Sequence, residues 1–239
     1  MGDYDKQITY SSDVTVELIK HSAEDVDVVR AARVSTQGEG SLDVSDKEMS
    51  GLINFLMRER HGSPFEHSYF TFYVKAPIFV WREHMRHRIA SYNEESGRYK
   101  ELAPEFYIPS PERKLIQVGK TGAYHFEDGT PTQYGISITQ MRRTCEQAYH
   151  SYKAMLDEGV AKEVARMVLP VSIYSSAYVT MNARALMNFL SLRQSAPDSH
   201  FPSYPQREIE MVAEKYEEIF NQAMPLTHLA FINNGRVCP

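Results

Sequence analysis

The sequence predicts an α/β (α+β) fold, a single domain over residues 1–239 with a small mixed sheet flanked by helices. Three observations lead there. Several stretches carry apolar residues at helical spacing, a few well-separated stretches alternate at strand spacing, and the length suffices for one sizeable core.

The first strand is expected at residues 14–19. A helix follows from about Ala23, with Ser22 as its cap and Val26, Val29, Ala32 and Val34 near helical spacing. Residues 36–44 read as a polar loop. Ser45-Asp46-Lys47-Glu48 is a capping box, in which the serine and the glutamate satisfy each other's backbone amides. The helix it opens carries residues 52–59 and stops near Gly62. Phe70, Phe72 and Val74 alternate with Tyr69, Thr71 and Tyr73, the pattern of a strand. Pro77 suits the first turn of a helix running to about Arg88. Residues 90–99 fit neither period and read as a chemically loaded loop. Residues 103–133 hold four prolines and look irregular. Ile138, Met141, Cys145, Ala148, Tyr152 and Met155 then mark the buried stripe of a long helix. A short helix at 162–169 ends before Pro170, residues 171–180 are extended, and 183–193 are helical. After a Pro-rich loop at 194–206, the last helix spans about 207–222 and buries Ile209, Val212, Tyr216 and Phe220.

Composition excludes several classes. With 42% hydrophobic and 24% charged residues the chain is not disordered, and its longest apolar runs fall far short of a membrane span. The first ten residues are polar and acidic, unlike a secretion signal. Two cysteines, Cys145 and Cys238, give no disulfide framework, which points to a reducing, cytoplasmic setting. A net charge of −5 disfavours a nucleic-acid polymer as partner.

Against that acidic background, Arg82, Arg86, Arg88, Arg98 and Lys100 fall in one stretch. Arg82 and Arg86 lie four apart and share a helix face; Arg88 opens the loop and Arg98 returns from it. A guanidinium binds phosphate bidentately and stacks on flat rings, so this cluster suits a nucleotide, with Ser91, Asn93, Glu94 and Ser96 able to read base or ribose. His84 and His87, or His61 and His67, resemble metal ligands in spacing. Crowding by Arg86 and Arg88 opposes a dication, so no metal is expected.

The string Arg86-His87-Arg88, seven residues and then Ser96 resembles the signature of flavin-dependent thymidylate synthases. The flanking segments 61–67, 75–80, 105–111, 164–170 and 182–189 are similar to that family in the same order. The resemblance implies a homotetramer with shared active sites, FAD and NADPH as cofactors, and dUMP and 5,10-methylenetetrahydrofolate as substrates. It implies cofactor contacts from His61, Ser63, Arg86, His87, Arg88, Glu94, Asn182, Arg184 and Asn188. The nucleotide would meet Glu83, His84, Met85, Arg86, Glu94, Glu95, Ser96, Gly97, Arg98, Arg166 and Arg193. Arg193 matches the position that stabilises the N3-deprotonated pyrimidine and is the expected catalytic residue. Glu83 stands where many relatives have glutamine. Ser96 has no adjacent base and is not read as a nucleophile. Two alternatives stay open: a related flavin enzyme that modifies a different deoxynucleotide, and a non-catalytic nucleotide- or RNA-binding module.

Overall fold

The computed structural model describes residues 8–38, 44–120 and 122–239; residues 39–43 of the expected 36–44 loop lie outside it, as do residues 1–7. The elements begin with β1 (Thr9–Ser11), β2 (Thr15–Ser22), α1 (Asp25–Gln37), α2 (Asp46–Arg58), β3 (Tyr69–Pro77), α3 (Ile78–His84) and β4 (Ser91–Glu94). They continue through β5 (Glu105–Tyr107), β6 (Ile116–Lys120), β7 (Ala123–Glu127), α4 (Pro131–Asp157), α5 (Lys162–Ala165), β8 (Tyr174–Asn182), α6 (Ala183–Arg193), α7 (Arg207–Ala223) and α8 (Pro225–Asn233). A four-stranded sheet has the order β2-β3-β8-β4, β1 pairs parallel with β5, and β6 pairs antiparallel with β7. The class is mixed α and β. No helix among the described residues is long and apolar enough to cross a membrane.

Local signals set several boundaries. Ser45 accepts from the Glu48 amide while the Glu48 carboxylate takes the Ser45 amide, so α2 starts where its capping box predicts. The cap of α1 is Glu24, not Ser22. Ser22 is spent as the last residue of β2, and Glu24, with extended backbone, exchanges bonds with Asp27. α3 ends at His84, short of Arg88, because the following amides turn back by three residues (Arg86 to Glu83, His87 to His84). The hydroxyl of Tyr92 caps that turn at the carbonyls of His87 (3.0 Å) and His84 (3.1 Å). The irregular region 103–133 contains β5 and the β6–β7 hairpin, and its final residues already belong to α4, which Thr130 and Gln133 cap. α7 is followed by α8, which the sequence reading lacked.

Two groups of elements have their own interiors. Among the described residues, the first comprises residues 8–14, Lys75–Arg82 and Glu94–Ser176. Phe106, Cys145, Tyr149, Tyr152 and Ile173 form its core. The buried residues of α4 all lie in its second half; Met141, expected in the stripe, is 42% exposed because the helix outruns the core it packs on.

The second group comprises Thr15–Val74, Glu83–Asn93 and Ala177–Pro239. Phe70 and Phe72 from β3, Phe189 from α6, and Tyr216 and Phe220 from α7 are fully buried there, each worth roughly 1.5–3 kcal/mol of apolar transfer. Asp25 ties the group's sequence ends together. Its carboxylate accepts from the Leu226 amide (2.9 Å), the Thr227 amide (2.8 Å) and the Thr227 hydroxyl (2.6 Å), so α1 supplies the N-terminal cap of α8.

Candidate active site

A cavity of about 700 Å³ lies within the second group. The turn after α3 brings Arg86, His87 and Arg88 to it. α6 brings Asn182, Ala185, Asn188 and Leu192 along one face, while Leu186, Phe189 and Leu190 pack into the core from the other. Asn182 is the N-cap of α6: its side-chain oxygen accepts from the Ala185 amide at 2.8 Å, which fixes the entry of the helix at the cavity wall. Arg60 and Glu66 line it from the segment after α2, and Cys238 and Pro239 from the end of the described chain. Among the lining residues, Arg60, Arg86, Arg88, Arg184 and Arg193 are accompanied by one carboxylate side chain, Glu66. Such a wall favours an anion.

Two of these arginines are held rigidly. Arg184 pairs with Glu66 and donates through Nε to the Pro239 main-chain oxygen at 2.7 Å. Its guanidinium lies over Gly62, where an added Cβ would sit 2.4 Å from Cζ, so a side chain there would displace the guanidinium from this position. Arg193 donates through Nη1 to Glu83 Oε2 (2.8 Å) and through Nε to His87 Nε2 (3.0 Å). That second bond requires a bare nitrogen. Burial, and then the charge of Arg193, lowers the His87 pKa to about 4, so the ring is neutral near pH 7 and accepts. Gln194, which follows Arg193, accepts from Arg236 Nη2 at 2.6 Å, and Arg236 in turn forks onto Glu217.

His84, expected among the nucleotide contacts, belongs to the core instead. Its ring is fully buried, with Nε2 2.9 Å from the Tyr216 hydroxyl and Nδ1 3.2 Å from the Tyr92 hydroxyl. Burial pushes the Tyr216 hydroxyl well above its ordinary range and that of Tyr92 to about 12, so both keep their protons. The consistent chain runs from Tyr216 O–H to His84 Nε2, from Nδ1–H to Tyr92, and from Tyr92 O–H to the carbonyls of the turn. His84 supports that turn from behind rather than reaching a ligand.

Burial, then the proximity of His87, lowers the His84 pKa to about 3. Because the folded pKa lies below the unfolded value of 6.5, the unfolded chain binds more protons as the medium acidifies. Stability is therefore full above about pH 6.5 and is lost as pH falls toward the folded value, by about 1.4 kcal/mol per unit for this one group. Glu217 adds its own loss only below the ordinary carboxylate range: burial raises its pKa, but His228 and Arg236 outweigh that and hold it at about 2. The urea midpoint is expected to be flat from pH 8 to about pH 7 and to fall between about pH 6 and pH 4.5. A flat midpoint across that lower window would contradict a buried neutral His84.

The remaining expected residues take these positions. His61 and Ser63 are exposed on the segment between Arg60 and Glu66, outside the cavity lining. Met85 is 37% exposed beside Arg86. In the first group, Glu94 accepts from the Ser175 hydroxyl and Glu95 from the Ser176 amide (3.1 Å) and Lys100. Ser96 caps the next turn, its Oγ accepting from the Arg98 amide, while Arg98 pairs with Glu163. Arg166 passes close to Gly97: a Cβ there would lie 3.3 Å from Arg166 Cδ. Loop 94–98 and Arg166 thus meet within that group. Sequence reasoning missed Arg60, Glu66, Cys238 and Pro239 as lining residues. The Arg60 signal existed in the backbone alone, as a left-handed φ of 61°.

The family model described as thymidylate synthase complementing protein matches residues 17–226. A flavin-dependent thymidylate synthase of Tropheryma whipplei is 60% identical over 232 residues, covering 96% of this chain and 97% of that protein. One from Streptomyces avermitilis is 57% identical over 239 residues, covering 98% and 97%. Among solved structures, a UMP/dUMP methylase from Streptomyces cacaoi bound with 5-Br dUMP superposes with a TM-score of 0.93 at 52% identity, covering 97% of this chain and 100% of that one.

Proposed function

We infer the reaction from one premise: the chain belongs to the flavin-dependent thymidylate synthase family. It methylates dUMP to dTMP. Bound FAD, reduced by NADPH, supplies the hydride that converts the carbon delivered by 5,10-methylenetetrahydrofolate into a methyl group. The observation in this chain that carries the reading is the arginine-walled cavity, whose size and charge fit a dinucleotide with its diphosphate.

Arg86, His87, Arg88, Asn182, Arg184 and Asn188 hold the flavin nucleotide, with His61, Ser63 and Glu94 as further contacts. Their shared wall supports the first six. Glu83, Met85, Arg86 and the loop Glu94, Glu95, Ser96, Gly97, Arg98, together with Arg166, bind dUMP. The guanidinium of Arg193 stabilises the pyrimidine once its N3 proton has left, and the anion so formed is nucleophilic at C5. Support comes from the fixed orientation of that guanidinium between Glu83 and His87. The enzyme acts in the cytoplasm as a homotetramer. The free thiols of Cys145 and Cys238 support the compartment, and the exposed apolar residues Met141, Met167 and Val171 support association.

The visible spectrum of the purified protein tests the reading. Flavin bands that bleach under anaerobic NADPH, faster with dUMP present, together with dTMP formation, are the expected result. A colourless protein that takes up no FAD would overturn it. The resemblance to a methylase described as acting on UMP and dUMP gives UMP a place as a second nucleotide in the same assay.

A further inference from the structure

We propose that Arg60 is a phosphate-binding residue of the dinucleotide site, retained in an unfavourable backbone conformation because its side chain serves the cavity. The inference rests on the flavin-nucleotide reading of that cavity and adds a residue to it.

The backbone provides the first observation. α2 ends with the Arg60 amide bonded to the Met57 carbonyl (3.2 Å) and the His61 amide to the Leu56 carbonyl (2.9 Å). This paired closure puts the intervening residue in the left-handed region, where glycine is the usual occupant. α8 ends with the same two bonds, Gly235 to Ile232 and Arg236 to Phe231, and there the left-handed residue is indeed a glycine, at φ 70°. α4 closes in the same way, Gly159 to Leu156 and Val160 to Met155, with Gly159 at φ 79°. Among the described residues, two such closures therefore use glycine and the third uses arginine, at φ 61°. Such a side chain needs a reason: Arg236, at φ 57° beside Gly235, has one in its buried fork onto Glu217, and Arg60 has no carboxylate of that kind among the described residues.

The second observation is where that side chain goes. Arg60 lines the arginine-rich cavity. Arg184 is matched by Glu66 and Arg193 by Glu83, whereas Arg60 makes no ion pair among the described residues. Its bond there is a long one, from Nη2 to the Cys238 carbonyl at 3.3 Å. Arg60 is exposed, most of its fork of donors is uncommitted within the protein, and a phosphate or diphosphate matches that geometry.

The test compares Arg60→Gly and Arg60→Lys with the parent protein. Flavin fluorescence quenching on the apoprotein gives the FAD Kd, thermal melting of the apoprotein gives stability, and flavin reduction gives the NADPH dependence. Arg60→Gly is expected to melt at or above the parent temperature while its FAD Kd weakens roughly tenfold or more, with Arg60→Lys in between. An unchanged FAD Kd with a raised NADPH requirement would assign the phosphate to the nicotinamide dinucleotide. If neither moves, or if the glycine variant only loses stability, Arg60 is structural and the inference fails. A parent protein that binds no FAD would remove the flavin reading itself, and this inference with it.

Discussion

Arg193→Ala is expected to retain bound FAD while dTMP formation falls by about 10²–10³-fold, the usual cost of removing one preorganised donor from a developing anion. The geometry argues for the upper end. Arg193 is not a loose surface charge: Glu83 and His87 each fix one edge of it, so no reorganisation is needed when charge appears on the pyrimidine. Its removal also exposes Glu83. A carboxylate freed from its partner would face the nucleotide and oppose loss of the N3 proton, compounding the missing cation. Arg193→Lys should recover part of the rate, because it restores the charge without the fork. Single-turnover dTMP formation alongside an FAD titration separates the two effects. Near-parental turnover in the alanine variant would sink the assignment.

The second large effect concerns stability. Asp25→Ala leaves two amides at the start of α8 and the Thr227 hydroxyl without their acceptor in a buried setting, since Thr227 is fully buried and Asp25 only 8% exposed. Loss of a charged cap with stranded donors costs about 2–4 kcal/mol. Asp25→Asn keeps one acceptor oxygen and should lose about half as much. Chemical denaturation at pH 7 reads this directly, and a loss below about 1 kcal/mol for the alanine variant would show that water replaces the carboxylate. Because α8 leads into Cys238 and Pro239, which line the cavity, FAD affinity should weaken in parallel.

What the sequence disclosed follows the range of the interaction that sets each feature. The start of α2 was legible because Ser45 and Glu48 satisfy each other within one turn. The same holds for β3, whose alternation records its two faces, and for α6, whose start depends on Asn182 and Ala185. α8 was not legible, since its cap comes from Asp25, 202 residues away, and it is apolar on too many sides to show a periodic face. The end of α3 was misplaced because the competitor for its carbonyls is a tyrosine in the next strand. At the site, resemblance supplied the Arg86-His87-Arg88 cluster and the α6 residues that line the cavity. It could not supply the burial of His84, which depends on Tyr216 132 positions later, nor the wall formed by Cys238 and Pro239.

The clasp between Asp25 and α8 also bears on how the protein is made. A ribosome releases α1 and α2 long before their partner helix has been translated. Until then α2 lacks the helix it packs against, and the cavity lacks the wall formed by Cys238 and Pro239. Contacts between segments so far apart in sequence are slow to form. The arginine-walled cavity is therefore completed only by the last residues of the chain to be made, after α8.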